Sequence, residues 1–326
     1  EMFWTASAKH ADIVLPTATT FEQDDIEGLG DYSARFIYPL HKVIDPLFES
    51  RPTYDIFLSI AQRLGYGQAF SEGKSNMDWI ESFYKAAVKQ AKTKKINIPD
   101  FDTFWEGGSY VEFIVPEGSK KWVRHADFRE DPLLEPLGTA TGKIELYCKA
   151  IEKMGYEDCP AHATWIEPIE WLGSKKAGQY PLHLLSPHPK DRLHSQMNNV
   201  ASLRKKYAIQ DREPVWISAA DAKARGINHG DVVRVFNDRG QTLAGAYVTD
   251  KLRQGVVRLR EGGWYDPQEP GKAGSLCKYG HINVLTIDKG SSKLSQGNIA
   301  NTALVQIEKY TGKLPEVTAF DPPKSA

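Results

Sequence analysis

The sequence has few cysteines and no cysteine pair at metal-binding spacing. Its three cysteines, Cys148, Cys159 and Cys277, are far apart and form no CxxC motif. This excludes a zinc ribbon and an iron–sulfur site built on CxxC pairs, and the odd, widely spaced set argues against a disulfide framework. Long apolar runs are also missing, because no window approaches the roughly eighteen apolar residues of a membrane-spanning helix.

An excess of charge of one sign is absent too. The formal net charge of the 326 residues is −1, so nothing indicates a nucleic-acid partner or binding to a membrane surface. The motifs GxSxG, GxxxxGK[ST] and HExxH do not occur. The adjacent Asp24 and Asp25 point apart in an extended chain, which suits a solvated loop better than an acid/base pair. The residues therefore predict a protein that holds a ligand without a reactive side chain of its own.

The first half of the sequence mixes helical and extended patterns. Apolar runs predict a short buried strand at residues 11–16 and a second strand at residues 144–148, the latter followed by a short helix. Apolar residues recur at helical spacing in residues 51–66 and again in residues 76–95, so each segment predicts an amphipathic helix. The sequence opens on "EMFWTAS" with neither a signal peptide nor a polar leader. We therefore expect a piece of a longer polypeptide, with residues 1–170 forming an incomplete α/β portion.

The second half has the pattern of a β-barrel. Short alternating segments such as "DVVRVFN" are joined by tight turns and by one small helix, which begins after Ser218 and stops at Gly226. Several short strands of this kind argue for a closed barrel. We predict a six-stranded β-barrel with small helices at residues 178–312, after a linker at residues 166–180. A tail follows at residues 313–326, and its end, "FDPPKSA", is expected to fray.

The stretch "LLSPHPKDRLHSQ" crowds polar donors at the end of a predicted strand. Composition alone slightly favours a solvated loop over a loop that binds an anion or a polar heterocycle. The second interpretation rests on the planar guanidinium, which suits phosphate, and on hydroxyl, amide and imidazole groups held by two prolines. A metal site is disfavoured, because neither histidine has a carboxylate or thiolate at ligand spacing. The candidate binding residues are Ser186, Pro187, His188, Pro189, Arg192, His194, Ser195 and Gln196.

Two further turns are rich in amides. Asn283 lies in "GHINVLT", and Gln296, Asn298 and Asn301 lie close together in "SQGNIAN". Each alone fits an ordinary turn. On one predicted barrel they indicate side chains that read the polar edge of a ligand. Trp264 in "EGGWYDP" is expected to fill the core beneath a turn.

Several stretches occur in a known order along nearly the whole chain, among them "FWTASAKHADIVLPTATTFEQDDIE", "YPLHLLSPHPKDRLHSQ", "EGGWYDP" and "GSLCKYGHINVLTIDKGSSKLSQ". Together they resemble the C-terminal half of the dimethyl sulfoxide reductase family of molybdoenzymes, especially its trimethylamine N-oxide-reducing branch. The resemblance implies that residues 1–170 are the C-terminal remainder of the α/β molybdopterin oxidoreductase domains. It further implies that the barrel is of the double-psi type and covers the cofactor.

The same resemblance implies a bis(molybdopterin guanine dinucleotide) molybdenum cofactor, which carries the redox chemistry. The implied reaction is reduction of trimethylamine N-oxide, or a related N- or S-oxide, in periplasmic anaerobic respiration. Electrons would come from a c-type cytochrome. The family's molybdenum-ligating serine lies in its N-terminal half, so that half is the expected partner, and we expect the isolated chain to be inactive. Cofactor-binding positions carried over are the eight of the "SPHPKDRLHSQ" stretch, then Asn283, Ala300 and Asn301.

The sequence departs from the family pattern at three positions, one of which, Asn301, is among those carried over. Gln23 stands where the family usually has arginine, Thr53 where it tends to have aspartate, and Asn301 where histidine is more usual. The alternative that the residues leave open is a free-standing double-psi barrel that binds a nucleotide or a protein partner. A further alternative, a purely interacting protein, would need an exposed apolar patch.

Overall fold

The computed structural model of the protein describes residues 1–29, 35–114 and 117–323. Within these ranges no helix is long and apolar enough to cross a membrane. The helices and strands follow in the order α1 (Ala6–His10), β1 (Asp25–Leu29), β2 (Phe36–Leu40), α2 (Thr53–Arg63), α3 (Gly67–Ser71), α4 (Asn76–Thr93), α5 (Phe101–Gly107), β3 (Val111–Glu112), α6 (Ala126–Glu130), α7 (Lys149–Met154), β4 (Leu182–Leu185), α8 (Ala201–Arg204), β5 (Pro214–Ser218), α9 (Ala219–Ala224), β6 (Val232–Phe236), β7 (Gln241–Thr249), β8 (Val256–Leu259) and β9 (Ala303–Lys309).

The chain divides into two compact units. The first comprises Glu1–Phe3 and Asp12–Leu137, and the second comprises Trp4–Ala11 and Gly138–Ala326. The barrel and the segment before it therefore share one unit. The domain boundaries read from the sequence, near residues 170 and 312, stay a prediction.

The first unit contains a three-stranded antiparallel sheet and the two amphipathic helices that the periodicity predicted. The strand order is β1-β2-β3. Both helical predictions are confirmed by α2 and α4, and α4 begins with a capping box between Ser75 and Asp78. The small core of this unit is aromatic, since the rings of Tyr84 and Phe104 stack with centroids 4.1 Å apart.

Both strands predicted in the first half of the sequence are wrong. Residues 11–16 and 144–148 form no strand, and Ile13 and Ile144 are 79% and 70% exposed. An apolar run meets the composition of a strand, but a strand also needs a neighbour for its N–H and C=O groups. In the part of the chain described, such partners are found only at or next to the ends of the two segments; for example, the Pro16 carbonyl oxygen accepts from Arg51 N–H at 3.3 Å, and Cys148 N–H donates to the Ala161 carbonyl oxygen at 2.7 Å. The short helix expected after residue 148 is present as α7.

The second unit is built on a closed barrel with strand order β4-β8-β5-β7-β6-β9. Two strand pairs, β4 with β8 and β5 with β7, are parallel, and the remaining pairs are antiparallel. The predicted six-stranded barrel of the double-psi type is confirmed. The alternation of side chains along each strand explains why the barrel forms, because every second side chain of each strand enters a single apolar core. The fully buried members include Leu184, Val215, Val235, Ala246, Leu259 and Val305.

Helix α9 begins and ends where the sequence predicted. The Ser218 hydroxyl accepts from the backbone N–H of Asp221 at 3.1 Å, and Gly226 has φ +62° just after the helix. The Asp221 carboxylate also accepts from the N–H of Gly255 at 2.8 Å. The cap therefore fixes the turn that leads into β8.

The predicted linker is anchored to the barrel by Glu170, which is 1% exposed. Its carboxylate accepts from both terminal nitrogens of Arg239 at 2.6 and 3.0 Å and from the N–H of Leu304 at 2.8 Å, and it contacts Lys176. Burial alone would raise the pKa of Glu170, but Arg239, Lys176 and the Leu304 amide together lower that pKa to about 2. The segment is therefore held in place and is not a free linker.

Glu170 should make the stability of this unit depend on pH. The pKa of this carboxyl is about 2 in the folded protein against an ordinary value of 4.5, which corresponds to about 3 kcal/mol. Because the folded pKa is the lower one, this stability is present above pH 4.5 and is lost as pH falls toward 2. In urea unfolding, the stability gap between wild type and Glu170→Gln should shrink across that window. A gap that stays constant from pH 6 to pH 2.5 would contradict the assignment.

The C-terminal tail is fastened to the barrel. The Asp266 carboxylate accepts from the N–H and the hydroxyl of Thr318, each at 2.8 Å. Phe320 meets the Tyr279 ring edge-on, with centroids 5.0 Å apart. The expectation that "FDPPKSA" frays is therefore wrong for Phe320, because an aromatic side chain finds a pocket there; residues 324–326 lie outside the described residues.

Candidate functional site

The segment of residues 186–196, here called the 186–196 loop, begins where β4 ends. The N–H of Ser186 donates to the side-chain oxygen of Asn301 at 2.7 Å, and Nε2 of His183 lies 2.8 Å from the carbonyl oxygen of Asn301. Asn301 therefore ties the start of the loop to the short 3₁₀ turn Ala300–Thr302. Two of the segments that the sequence singled out are brought together in this way.

Arg192 lies beneath the loop, with its side chain 1% exposed. Its Nε donates to the carbonyl oxygen of His194 at 3.0 Å, and its Nη2 donates to that of Glu261 at 2.8 Å. Its Nη1 lies 3.1 Å from Oε1 of Glu213. The sequence predicted a guanidinium fork for phosphate; in the structure the fork is directed at acceptors within the chain, so Arg192 shapes the loop from below.

Glu213 is the centre of a buried polar network and is 0% exposed. Its two carboxylate oxygens meet Arg192 and Arg260, each at 3.1 Å. Asn198 and Tyr279 donate to Oε1 at 3.2 and 3.1 Å. Burial, with the Glu213 carboxylate next, raises the pKa of Tyr279 well above its ordinary value, so the phenol stays a neutral donor. The loop thus packs on a buried network of charged and hydrogen-bonded side chains centred on Glu213.

The Gly262–Gly263 turn lies between the loop and the turn that carries Asn283. Gly262 has φ +79°, and a Cβ there would lie 2.0 Å from the carbonyl oxygen of His194. The carbonyl oxygen of Gly263 lies 2.6 Å from Nδ1 of His281. Burial lowers the pKa of His281, partly opposed by that hydrogen bond, so this imidazole is neutral at pH 7. Asn283 follows in the 3₁₀ turn Ile282–Val284.

Three polar side chains of this region are exposed and unused. In the part of the chain that the structure describes, the side chains of Ser195, Gln196 and Asn283 are exposed and make no hydrogen bond. The Ser195 carbonyl, in contrast, accepts from the indole N–H of Trp264 at 2.9 Å. A rigid backbone that presents unpaired polar side chains is typical of a ligand-binding site.

The amide-rich turn at residues 296–301 is mostly occupied with its own structure. Nε2 of Gln296 donates to the carbonyl oxygen of Ser292 at 3.0 Å, and the side-chain oxygen of Asn298 accepts from Ala300 N–H at 3.4 Å. Asn301 is committed to Ser186, as described above. These amide side chains therefore serve mainly to hold the local structure, and they leave few free donors for a ligand.

Sequence reasoning missed both carboxylates of the site, the buried Glu213 and the more accessible Glu261. One carboxylate oxygen of Glu261 lies 2.5 Å from Nδ1 of His188 and 2.6 Å from Nδ1 of His194. The two imidazoles are 74% and 57% exposed. The carboxylate nearest to these histidines in the sequence, Asp191, lies 3.5 Å from Nη1 of Arg260. The carboxylate that contacts both histidines comes instead from just after β8, a distant part of the chain.

Two family models match the chain. Residues 182–304 match the Molydopterin dinucleotide binding domain, and residues 1–63 match Molybdopterin oxidoreductase. The first match contains the 186–196 loop, Glu213, Glu261 and Asn283. A curated relative, the dimethyl sulfoxide/trimethylamine N-oxide reductase of Cereibacter sphaeroides, is 57% identical over 323 residues. The chain belongs to the dimethyl sulfoxide reductase family of molybdoenzymes.

Members of this family that match the chain are much longer than it is. The trimethylamine-N-oxide reductase of Haemophilus influenzae is 50% identical over 325 residues. In both relatives the match covers 99% of this chain and 39% of the relative, so the chain spans about two fifths of their length. The solved structure of acetylene hydratase from Pelobacter acetylenicus has a TM-score of 0.67 and covers 94% of this chain and 39% of that one. At 18% identity it shows a shared fold and nothing further.

The family's cofactor is molybdenum held by molybdopterin guanine dinucleotide, as the two family matches indicate. The residues present fit such a group. The pterin and guanine rings present polar edges, and the free hydroxyl and amide groups of Ser195, Gln196 and Asn283 can pair with such edges. Their backbones are fixed by the buried network, so little order has to be acquired on binding. No molybdenum ligand is expected among these residues.

The family departures at Gln23 and Thr53 fall in the first unit. Gln23 is half-buried just before β1, and Thr53 is the first residue of α2, where its hydroxyl lies 2.7 Å from that of Thr17. Nearby, Asp24 accepts from the N–H of Lys42 and Asp25 from the N–H of Ile26, each at 2.8 Å. The two carboxylates thus have separate partners, and the loop expected at this point gives way to a strand, because Asp25 is the first residue of β1.

Proposed function

We propose that this chain is the dinucleotide-binding part of a molybdenum oxotransferase. The observation that carries the proposal is the free polar set on the 186–196 loop and at Asn283, held over a buried polar network inside the matched dinucleotide-binding domain. In this proposal Ser195, Gln196 and Asn283 contact the cofactor directly. Arg192 and Asn301 act by fixing the loop, and Ser186, Pro187 and Pro189 set its course.

We propose the reduction of trimethylamine N-oxide, or a related N- or S-oxide, as the reaction of the complete enzyme. Both curated relatives are reductases of such oxides by name, which supports this substrate class. When bound, the molybdenum cofactor would supply the redox chemistry, in which two electrons and two protons convert the oxide to the amine or sulfide and water. The chain itself would orient the dinucleotide and exclude water from it. The proposal includes two partners, a polypeptide equivalent to the remaining part of the relatives and a c-type cytochrome that donates electrons. It also places the enzyme in the periplasm.

Replacing both Gln196 and Asn283 with alanine is expected to lower cofactor affinity about 30-fold, because each lost hydrogen bond costs about 1 kcal/mol. Both side chains are exposed and unbonded within the described residues, so the fold should be unaffected. The measurement is molybdenum retained per protein at limiting cofactor, with the exposed Gln254→Ala as the matched control. Equal retention in the double variant and the control would count against the assignment. Arg192→Ala is less informative, because Arg192 also supports the loop.

The proposed reaction is tested by reconstitution. The chain is combined with the cofactor and with the preceding part of the Haemophilus influenzae relative, and oxidation of reduced viologen is followed with trimethylamine N-oxide. We expect oxide-dependent oxidation in the complex and none with the chain alone. A folded complex that binds no molybdenum and shows no oxidation would reject the proposal. Tight binding of guanine nucleotides by the chain alone would instead favour a free-standing binding module.

A further inference from the structure

His188, His194 and Glu261 form a cluster of side chains that can ligate a metal; the resemblance assigns the two histidines, but not Glu261, to cofactor binding. One ligand atom from each side chain lies within 4.8 Å of the other two. Both Nδ1 atoms approach the same carboxylate oxygen, at 2.5 and 2.6 Å. In the part of the chain that the structure describes, the Glu261 carboxylate has no other hydrogen-bond or ion-pair partner. Two imidazoles and a carboxylate are a common ligand set for zinc.

The backbone that carries these three side chains is rigid. Arg192 holds the carbonyl oxygens of His194 and Glu261, at 3.0 and 2.8 Å. The N–H of Glu261 donates to the carbonyl oxygen of Pro187 at 3.2 Å. His194 has φ +49°, a left-handed conformation that a non-glycine residue adopts only when its surroundings impose it. The buried side of the loop thus fixes the cluster's main chain, while the two imidazoles contact each other and Glu261 and are otherwise largely exposed.

The spacing of the ligand atoms is close to what a metal requires. Zinc–nitrogen and zinc–oxygen bonds of about 2.0 Å in a tetrahedron separate the ligand atoms by about 3.3 Å. The two histidine–carboxylate distances are 2.5 and 2.6 Å, so each pair has to separate by less than about 1 Å. Rotation of two largely exposed imidazoles provides this without moving the backbone.

We propose that His188, His194 and Glu261 bind one divalent transition metal ion, Zn²⁺ in the first instance, with water completing its coordination. Imidazole and carboxylate favour zinc, cobalt and nickel over magnesium and calcium. The buried cation Arg192 is offset by Glu213, so the negative charge of Glu261 remains available to the metal. The proposal does not rest on the proposed function, because its readout is the metal alone, in the absence of molybdopterin.

The test is calorimetric titration of the full chain with Zn²⁺, together with the visible absorption of added Co²⁺. We expect one equivalent of metal and a Co²⁺ spectrum of low coordination number. His188→Ala and Glu261→Gln should each weaken binding more than about 10-fold, since even an outer partner of a metal ligand is worth that much. His229→Ala, an exposed histidine beyond the cluster, should bind like wild type.

The Glu261→Gln variant is expected to fold, because it keeps the backbone contacts of Glu261 with Arg192 and Pro187 on the buried side of the loop. Circular dichroism and the unfolding midpoint check that each variant is folded. No saturable binding at one equivalent would overturn the proposal. Wild-type affinity in either His188→Ala or Glu261→Gln would overturn it as well, by showing that the metal is held elsewhere.

Discussion

Replacing Glu213 with glutamine is expected to lower the free energy of unfolding of the barrel unit by about 3–5 kcal/mol, the cost of breaking a buried ion pair. Glu213 is 0% exposed and lies between the guanidinium groups of Arg192 and Arg260. Removing its charge leaves two buried cations without their shared counter-ion. The measurement is urea unfolding at pH 7, where a lower midpoint with an unchanged slope indicates lost stability.

A surface glutamate provides the matched control for this prediction. Glu308 pairs with Arg234 at 2.8 Å on β9, and its side chain is 51% exposed. Glu308→Gln should cost less than about 1 kcal/mol, because solvent screens exposed pairs. If Glu213→Gln cost no more than Glu308→Gln, the buried network would not be the support of the 186–196 loop.

Replacing Gly262 with alanine is expected to displace the 186–196 loop. The backbone at φ +79° alone costs an alanine about 1–3 kcal/mol. The new Cβ would also lie 2.0 Å from the carbonyl oxygen of His194, and backbone cannot yield as a flexible side chain does. The loop therefore has to move, and both cofactor retention and amide protection near residues 192–198 should fall. Hydrogen exchange of that segment, read by mass spectrometry, measures the displacement.

Gly271 offers an almost identical backbone without the steric overlap. Its φ is +77°, and nothing lies within 4 Å of a Cβ built there. Gly271→Ala should therefore cost the backbone strain alone and leave the 186–196 loop protected. Unchanged exchange in Gly262→Ala would show that the close approach to His194 is not what shapes the loop.

The barrel could be predicted because its signals are local. Strict alternation in β6 and β9, the Ser218 cap and the Gly226 stop are all read within a few residues, and all are confirmed. The prediction of a strand at residues 11–16 is wrong because strand formation also depends on a signal that is not local. An apolar run is local, but the pairing that makes it a strand is not.

The site could be predicted only in part, because its members meet through the fold. The sequence placed the loop, Asn283 and Asn301 on one barrel, and the structure brings Asn301 to Ser186 at 2.7 Å. It gave no sign that Glu213 would neutralise Arg192 or that Glu261 would reach two histidines. Those carboxylates come from the start of β5 and the end of β8, and pairing between distant strands leaves no trace in residue spacing.

The pairing of β4 has a consequence for synthesis on the ribosome. The first strand of the barrel, β4, has β8 and β9 as its two neighbours, and β9 is the last strand of the barrel to be made. Leu182 and Leu184 therefore remain without their final partners until Ala303 has emerged from the exit tunnel. A nascent chain stopped before that point exposes an unpaired apolar edge, which is the surface that chaperones bind and that aggregates nucleate on. Ribosome-bound intermediates of this protein should thus be chaperone clients until β9 has been made.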